Sequence, residues 1–327
     1  MKTSKLFSLF ILFVFLTGED LALPRFALRM NAQCTECHVN PTGGEMRNHG
    51  GWSFGKNMLP MASPRDYKMS NMIGENISFG VDFRTQYLYS AEKKKTDFQK
   101  MEGTIYANVD LSEDINIFTR YDFIQQIFEG YGVARVLPNR SYIKAGAFSP
   151  NYGLRIDDHT AYTRGGDFGL LFTPNNPIQG LIFWPQYTEI GLETGLYFSN
   201  FALLTLSAGK PNFINPLAVT FPFDRKNTDP SYTANLQFTP QLGGDNTGLM
   251  FGGSYTNFKY DQLNNYKNAN IFGGYAGFGI AGFTILGEFD VANDYISKDS
   301  SSTALMIEGA YELIKGLQAV VRYDRFD

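Results

Sequence analysis

The stretch ISFGVDFRTQYLY, residues 77–89, alternates large apolar residues with polar or small ones, and this alternation decides the fold. Successive side chains of a β-strand point to opposite faces, so a period of two predicts a strand with one apolar and one polar face. The same pattern recurs in residues 102–111, 283–291 and 317–324. The sequence therefore predicts an all-β protein.

The predicted strands are about ten residues or longer, and their polar faces carry charged side chains. A transmembrane barrel turns such an apolar face to lipid and the charged face to a watery lumen. The chain contains 29 Phe and 19 Tyr, an aromatic content that also favours a membrane wall. We expect an antiparallel transmembrane β-barrel of about 14–16 strands. A soluble β-sandwich stays open as the alternative, because alternation alone does not separate the two.

Turn lengths predict how the barrel is oriented. Short connections occur at residues 112–114, 138–140, 199–200, 279–282 and 314–316, and long polar loops are expected at residues 91–100, 210–230, 259–268 and 292–302. Outer-membrane barrels have short periplasmic turns and long outer loops. The strand count is 14 or 15, depending on residues 178–184. Parity favours 15, and because even numbers are the rule, this predicts either a missing final strand or a miscount in the irregular region 150–190.

The chain begins with a segment that predicts export. Lys2 and Lys5 precede an apolar run of twelve residues, 6–17, which is too short for a spanning helix and fits a signal peptide. We expect a signal peptide at 1–22, a haem-binding segment at 23–75 and the barrel at 76–327. The net charge of −4 offers no basic surface for nucleic acid, so no nucleic-acid partner is expected.

The motif Cys34-Thr35-Glu36-Cys37-His38 carries the chemistry. In a C-x-x-C-H sequence the two thiols add to the vinyl groups of a haem, and the adjacent imidazole becomes an axial ligand of the iron. These are the only two cysteines of the chain. The motif predicts one covalent haem c, bound by Cys34 and Cys37, with His38 as the proximal iron ligand.

Three other readings of the motif stay open: a redox dithiol, a zinc site with His49, and a simple disulfide. The distal iron ligand is also open. His49 is the first candidate and would give a lower haem potential, whereas Met46, Met58 or Met61 would raise it. His159 is predicted to be a loop residue.

Residues 150–190 are rich in Pro, Gly and Asp and predict an irregular region. We expect this region to fold into the lumen as a constriction lined by Arg155, Asp157, Asp158 and Arg164; an ordinary surface loop is the alternative. Lumen carboxylates such as Asp110, Asp122 and Glu288 are expected to attract cations.

The N-terminal residues resemble a known family. The similarity rests on Pro24-Arg25-Phe26-Ala27, the Cys34–His38 motif, Arg47-Asn48-His49-Gly50 and Phe54-Gly55-Lys56. This order resembles the start of fused monohaem cytochrome c–porins of the outer membrane, over about the first 60 residues. The resemblance implies an electron-transfer cytochrome rather than a conventional enzyme, with iron oxidase activity as one form of it.

Two functions follow from these expectations. The first is electron transfer between the cell exterior, with Fe(II) or an extracellular multihaem cytochrome, and periplasmic cytochromes or other redox carriers. The second is passive diffusion through a porin whose haem segment is structural or sensory. In both, the protein is exported to the outer membrane, and its haem segment lies on the periplasmic side or in the lumen.

Overall fold

The structure, a computed structural model, describes residues 24–62, 70–91, 94–124, 126–156, 161–166, 180–181, 187–211, 229–243, 246–262, 265–295 and 297–327. The predicted signal peptide at 1–22, the side chains Asp157, Asp158 and His159, and most of the uncertain strand 178–184 lie outside these residues.

The described residues contain two short helices followed by fourteen strands. The helices are α1 (Pro24–Met30) and α2 (His49–Asn57). The strands are β1 (Met72–Ile73), β2 (Ile77–Ser90), β3 (Lys95–Asp110), β4 (Ile115–Asp122), β5 (Ile127–Ala134), β6 (Tyr142–Phe148), β7 (Glu189–Ser199), β8 (Ala202–Pro211), β9 (Ser231–Phe238), β10 (Thr247–Gln262), β11 (Asn265–Ile280), β12 (Phe283–Asn293), β13 (Ser301–Ile314) and β14 (Leu317–Phe326). Neither helix, in the part of the chain that the structure describes, is long and apolar enough to cross a membrane.

All strands belong to one sheet in which each strand pairs with the next one along the chain, from β1 to β14. Every pairing is antiparallel; Phe118 of β4, for example, lies opposite Tyr131 of β5. The predicted all-β antiparallel architecture and its strand number are confirmed. No pairing joins β14 to β1 or β2 within the described residues.

The two faces of the sheet have the polarity expected from the sequence. In β4, Ile115, Ile117 and Tyr121 are exposed, whereas Arg120 and Asp122 are buried. Strand β12 repeats this arrangement: its exposed residues are Phe283, Ile285 and Phe289, and its buried ones are Thr284, Glu288 and Asp290. In a soluble sandwich the apolar face would lie in the core. The sheet does the reverse, which excludes the sandwich alternative.

Two of the predicted long loops are wrong. Residues 95–100 belong to β3, so only 91–94 connect it to β2, and residues 259–262 and 265–268 continue β10 and β11 as a paired hairpin. Polarity misled the prediction, because the backbone hydrogen bonds of a strand pair do not need an apolar side chain on either face.

The sequence analysis also missed a strand. β1 has only two residues, Met72 and Ile73, which pair with Ser78 and Ile77 of β2. Two residues are too few to show alternation. Of residues 178–184, Gly180 and Leu181 are described, and both lie outside any strand.

The sheet curves around the N-terminal segment. Helix α1 packs against β10, β11 and β12, while Met46 lies in a buried cluster with side chains of β3, β4 and β5. A segment of some twenty residues therefore touches strands from both ends of the sheet. This arrangement places the segment inside the curve, among the polar side chains of the inner face.

Candidate haem site

Helix α1 is fixed to β12 and β13 by its two arginines. The Arg25 guanidinium forms an ion pair with Glu308 at 2.5 Å, and Arg29 Nε donates a hydrogen bond to Thr284 Oγ1 at 3.0 Å. Thr284, Glu288, Asp290 and Glu308 line this side of the interior and are called the charged wall below. These contacts set the position of the chain that leads into the cysteine motif.

The motif folds as one tight turn, the haem turn, Cys34–His38. Residues Cys34–Glu36 form a 3-10 helix, and the amides of Cys37 and His38 both donate to Cys34 O, at 3.2 and 3.0 Å. Because one carbonyl accepts hydrogen bonds from both amides, the two cysteines and the histidine are held within a single turn. The motif predicted to attach a haem thus lies within one turn of the chain.

Asn48 secures the haem turn to α2. Its Nδ2 donates to Thr35 O at 2.8 Å and to His38 O at 3.3 Å, and its Oδ1 caps the helix by accepting from the Gly51 amide. At Gly51 an added Cβ would lie 2.1 Å from Cys37 O, so only glycine lets the helix start this close to the turn. Asn48 and Gly51 thus fix His49, the first residue of α2, beside the haem turn.

A cavity of about 830 Å³ lies next to the haem turn, at the end of the sheet where the short turns are. From the N-terminal segment it is lined by Glu36, His38 and His49, and from the sheet by Asp110, Arg135 and Arg140. Cofactor sites commonly enclose roughly 300–1,000 Å³. The space is therefore large enough for a haem and has imidazoles on its wall.

The four candidate distal ligands lie in different places. His49 is exposed and lines the cavity together with His38. Met46 is 2% exposed and packs among aromatic rings, and Met58 and Met61 are exposed; none of the three lines the cavity. Of these candidates, the structure brings only His49 to the same space as His38.

The two cysteines are free thiols, so the disulfide is not formed in this structure. Cys34 lines a small side pocket that shares Gln33, Pro41, Tyr197 and Asn200 with the main cavity. Burial raises the pKa of the Cys34 thiol to about 11, although the nearby Arg155 charge opposes the shift. Cys37 is buried in contact with Ala27. Within the described residues, no three His, Cys, Asp or Glu side chains form a metal-binding group.

Opposite the charged wall, the N-terminal segment lies against aromatic rings. Tyr106, Phe118, Tyr131 and Phe148, from β3 to β6, form the aromatic wall, with centroids of successive rings 6.2, 4.9 and 6.4 Å apart. Val39 and Met46 pack against this wall. The buried Lys144 lies beside this wall; its Nζ is 4.5 Å from the Phe148 ring centroid and 2.8 Å from Glu193.

Glu45 connects the segment to the rest of the interior. Its carboxylate accepts from Tyr131 OH at 2.7 Å and from Arg155 Nη2 at 2.8 Å. Arg155 belongs to the inner loop, residues 149–156 and 161–166, between β6 and β7. One buried carboxylate thus joins the N-terminal segment, the aromatic wall and the inner loop.

The inner loop folds into the interior, as the sequence analysis expected for a constriction. Arg164 forms an ion pair with Glu288 at 2.9 Å, Tyr152 OH donates to Asp290 at 2.8 Å, and the Gly153 amide donates to Ser254 Oγ at 2.8 Å. Both Arg155 and Arg164 lie inside, and both are paired.

The expectation that Asp110, Asp122 and Glu288 attract cations needs correction for Glu288. Its carboxylate is already neutralised by Arg164 and accepts the Leu154 amide at 3.0 Å. Asp122 is buried and accepts the Ile124 amide, whereas Asp110 lines the cavity. The sequence shows the acidic residue but not its partner 124 positions away.

Comparisons with known proteins give a distant likeness in structure. No family and no curated protein matches the sequence. The chain is similar to OmpT, an outer membrane protein of Vibrio cholerae, with a TM-score of 0.39 and 11% identity, over 77% of this chain and 88% of that chain. It is also similar to OccK3 (OpdO) of Pseudomonas aeruginosa, with a TM-score of 0.35 and 12% identity, over 77% of each chain. With values this low, neither likeness assigns the chain to a family or a function.

Proposed function

We propose that this protein is an outer-membrane electron-transfer protein, a β-barrel that carries one covalent haem c at its periplasmic mouth. The observation that carries the proposal is the haem turn, held inside a sheet of inverted polarity and beside a cavity lined by His38 and His49.

The outer surface of the sheet supports a membrane location. Phe79, Ile117, Phe272, Ile285 and Phe289 all point outward and are at least 41% exposed. Such a continuous apolar surface is unfavourable in water and favourable in lipid. A membrane also requires that the sheet close, because unpaired backbone groups cost several kcal/mol each in hydrocarbon. Three of the four two-residue connections, at 200–201, 281–282 and 315–316, lie at one end of the sheet. The long connections 149–188 and 212–230 lie at the other end together with the fourth, 263–264, and we assign the first end to the periplasm.

The fit to a haem rests on His38 and His49, which line the cavity, and on Cys34, which lines the adjoining side pocket, whereas Cys37 lines neither of these two spaces. Cys34, Cys37 and His38 supply the two thioether bonds and the proximal ligand, and His49 is the candidate distal ligand. Gly43 lies under Cys34, where an added Cβ would come within 3.2 Å of the sulfur, so the chain leaves room at the attachment point. When bound, a haem supplies an iron that accepts and releases one electron.

The interior favours the passage of electrons over the diffusion of solutes. The described interior is crossed by the N-terminal segment and the inner loop, joined through Glu45 and Arg155. The pair Arg164–Glu288 and the bond from Tyr152 to Asp290 fix the loop to the far wall. A solute would have to break these contacts to pass, whereas an electron needs only a cofactor within tunnelling range. In this proposal, a periplasmic cytochrome or other carrier meets the mouth, and Fe(II) or a multihaem cytochrome is the external partner.

The test is reduction of the haem in lipid vesicles that contain the purified protein. We expect a pyridine haemochrome spectrum, a haem stain that survives denaturation, and stopped-flow reduction by external Fe(II). The matched control is the C34S/C37S double variant, which should fold without covalent haem. Free ion conduction in planar bilayers, together with a haem that Fe(II) does not reduce, would support the diffusion porin instead. Absence of covalent haem from the wild-type protein would overturn both.

The distal ligand is tested by two single variants. His49→Ala should change the Soret and near-infrared bands and raise the haem potential, because a second imidazole lowers the potential relative to weaker ligands. Met46→Leu should leave the spectrum unchanged, since Met46 lies among aromatic rings. The opposite pattern would assign the iron to Met46.

A further inference from the structure

We propose that Arg135 and Arg140 bind the two carboxylates of the haem propionates, an inference that rests on the proposed function. Both arginines line the 830 Å³ cavity together with His38 and His49. The sequence analysis treated this stretch only as a short turn.

Both residues are held by the connection between β5 and β6. Arg135 directly follows β5, and Arg140 ends a 3-10 turn, Pro138–Arg140. Asn139 and Arg140 have φ angles of 57° and 58°, in the left-handed region that non-glycine residues seldom adopt. Such a conformation at two successive residues fixes where the Arg140 side chain leaves the backbone. Uncommon backbone of this kind occurs preferentially at functional sites.

The pairing of these two arginines differs from that of the other interior arginines. Arg25, Arg29, Arg120, Arg155 and Arg164 each have a carboxylate partner, Glu308, Glu312, Glu129, Glu45 and Glu288 respectively. Within the described residues, no carboxylate lies within ion-pair distance of Arg135 or Arg140. Arg135 donates to neutral oxygens instead, to Asn116 Oδ1 at 2.8 Å and to Val39 O at 3.4 Å.

The two guanidinium groups are close enough to influence each other. Burial lowers the pKa of Arg135, and the positive charge of Arg140 lowers it further. Two like charges on one cavity wall favour a ligand that brings negative charge between them. The negative charge of Asp110 has the opposite effect and raises the pKa of Arg135. The Asp110 carboxylate does not approach Arg135 to ion-pair distance, and it accepts a hydrogen bond from Asn108 at 2.9 Å.

Haem is a ligand that combines a flat apolar ring with two carboxylates. Arginine binds carboxylates through paired, charge-assisted hydrogen bonds and stays charged at any physiological pH. A positive charge beside a propionate keeps it ionised to lower pH and favours the reduced iron. The other titratable side chains on this cavity wall are Glu36, His38, His49, Asp110, Glu113 and Tyr197. They are unchanged in the variants below, so a difference between proteins reports the arginines.

The experiment is a spectroelectrochemical titration of the holoprotein from pH 5 to 9. We expect R135Q/R140Q to keep its haem but to show a lower midpoint potential. The pH at which the potential begins to change should move upward, because the propionates lose their cationic partners. Resonance Raman bands of propionate bending should shift as well. R135K/R140K should restore the potential in part, and R325Q, at the opposite end of the sheet, should match the wild type.

The outcomes distinguish the propionate assignment from the proposed function. A wild-type chain without covalent haem contradicts the proposed function. A wild-type chain with haem whose R135Q/R140Q variant keeps the same potential, pH profile and Raman bands contradicts the propionate assignment alone. The same result with slower reduction by a periplasmic cytochrome would assign the arginines to partner docking. If the double variant does not fold, R140Q is used alone, because Arg140 is exposed.

Discussion

Val39 and Met46 pack against the aromatic wall, whereas Arg25 and the inner loop are held by carboxylates of the charged wall. The N-terminal segment therefore meets the aromatic wall through apolar packing and the bond from Tyr131 to Glu45, and the charged wall through ion pairs and hydrogen bonds. The stability that apolar packing contributes changes little with salt or pH, but it falls when a buried side chain becomes smaller. A buried ion pair destabilises the protein strongly when either of its partners is removed. The two walls should respond differently to mutation, and this difference can be tested.

The largest expected effect is on the charged wall. Arg164→Ala leaves the fully buried Glu288 carboxylate without its cation. Removing one partner of a buried pair costs roughly 3–5 kcal/mol of unfolding free energy. Urea unfolding in detergent should show this loss, and planar bilayers should show new ion conductance. The double variant R164M/E288Q removes both charges and should recover most of the stability. Wild-type stability of R164A would mean that the pair does not hold the loop.

The aromatic wall should give a smaller loss that salt does not change. Phe118 is completely buried between Tyr106 and Tyr131. Phe118→Leu leaves a partly filled cavity and should lower the unfolding free energy by roughly 1–2 kcal/mol. Phe289→Leu, on the outer face, is the matched control and should have little effect. A loss that disappears in high salt would contradict the packing explanation.

The pair at the edge of the charged wall should matter less. Arg25 keeps 31% of its side chain exposed beside Glu308. Partly solvated pairs contribute less than about 1 kcal/mol. Arg25→Gln should therefore weaken the docking of α1 slightly, measured as faster amide exchange in residues 24–30. At about 1 M salt, where charges are screened beyond roughly 3 Å, the variant and the wild type should become equal.

The smallest effect concerns the Cys34 thiol in haem-free protein. Because the folded pKa of about 11 lies above the ordinary value of 9.0, the thiol is protonated at neutral pH. The stability that this neutral thiol contributes is fully present below pH 9 and is lost as the pH rises through 11. Iodoacetamide should label native Cys34 slowly at pH 7 and faster as the pH approaches 11. Rapid labelling at pH 7 would mean that the surroundings do not raise the pKa of the thiol.

The sheet was predictable because its signal is local and repeated. In β2 and β12 the alternation along the sequence shows directly which residues share a face, so the strand is predicted without knowledge of its partners. The same reasoning failed at residues 95–100 and 259–262, where most residues are polar and no apolar alternation shows. It also failed at β1, which is too short to carry a period.

Of the proposed site, the sequence shows only the Cys34–His38 motif, and its haem attachment stays a prediction. Cys34, Cys37 and His38 are adjacent, and their chemistry fixes their spacing. The contacts that seat them join residues far apart in sequence, such as Glu45 with Arg155 and Arg164 with Glu288. No pattern along the chain marks such pairs. One feature of the sequence marks Arg135 and Arg140, a compact Pro-Asn-Arg turn beside a charged residue. The importance of this turn becomes clear only when the cavity is known.

The burial of Cys37 has a consequence for how the protein is made. Its side chain is 7% exposed and packs against Ala27, in a segment around which the sheet curves. On the proposed function, the machinery that attaches haem has no access to this thiol once the strands have assembled. Haem attachment therefore precedes insertion. The chain is then present in the periplasm with its haem attached before its strands assemble. Pulse-labelled cells should accumulate haem-stained, protease-sensitive chains when barrel insertion is blocked, and haem-free chains that have already inserted should never acquire the cofactor.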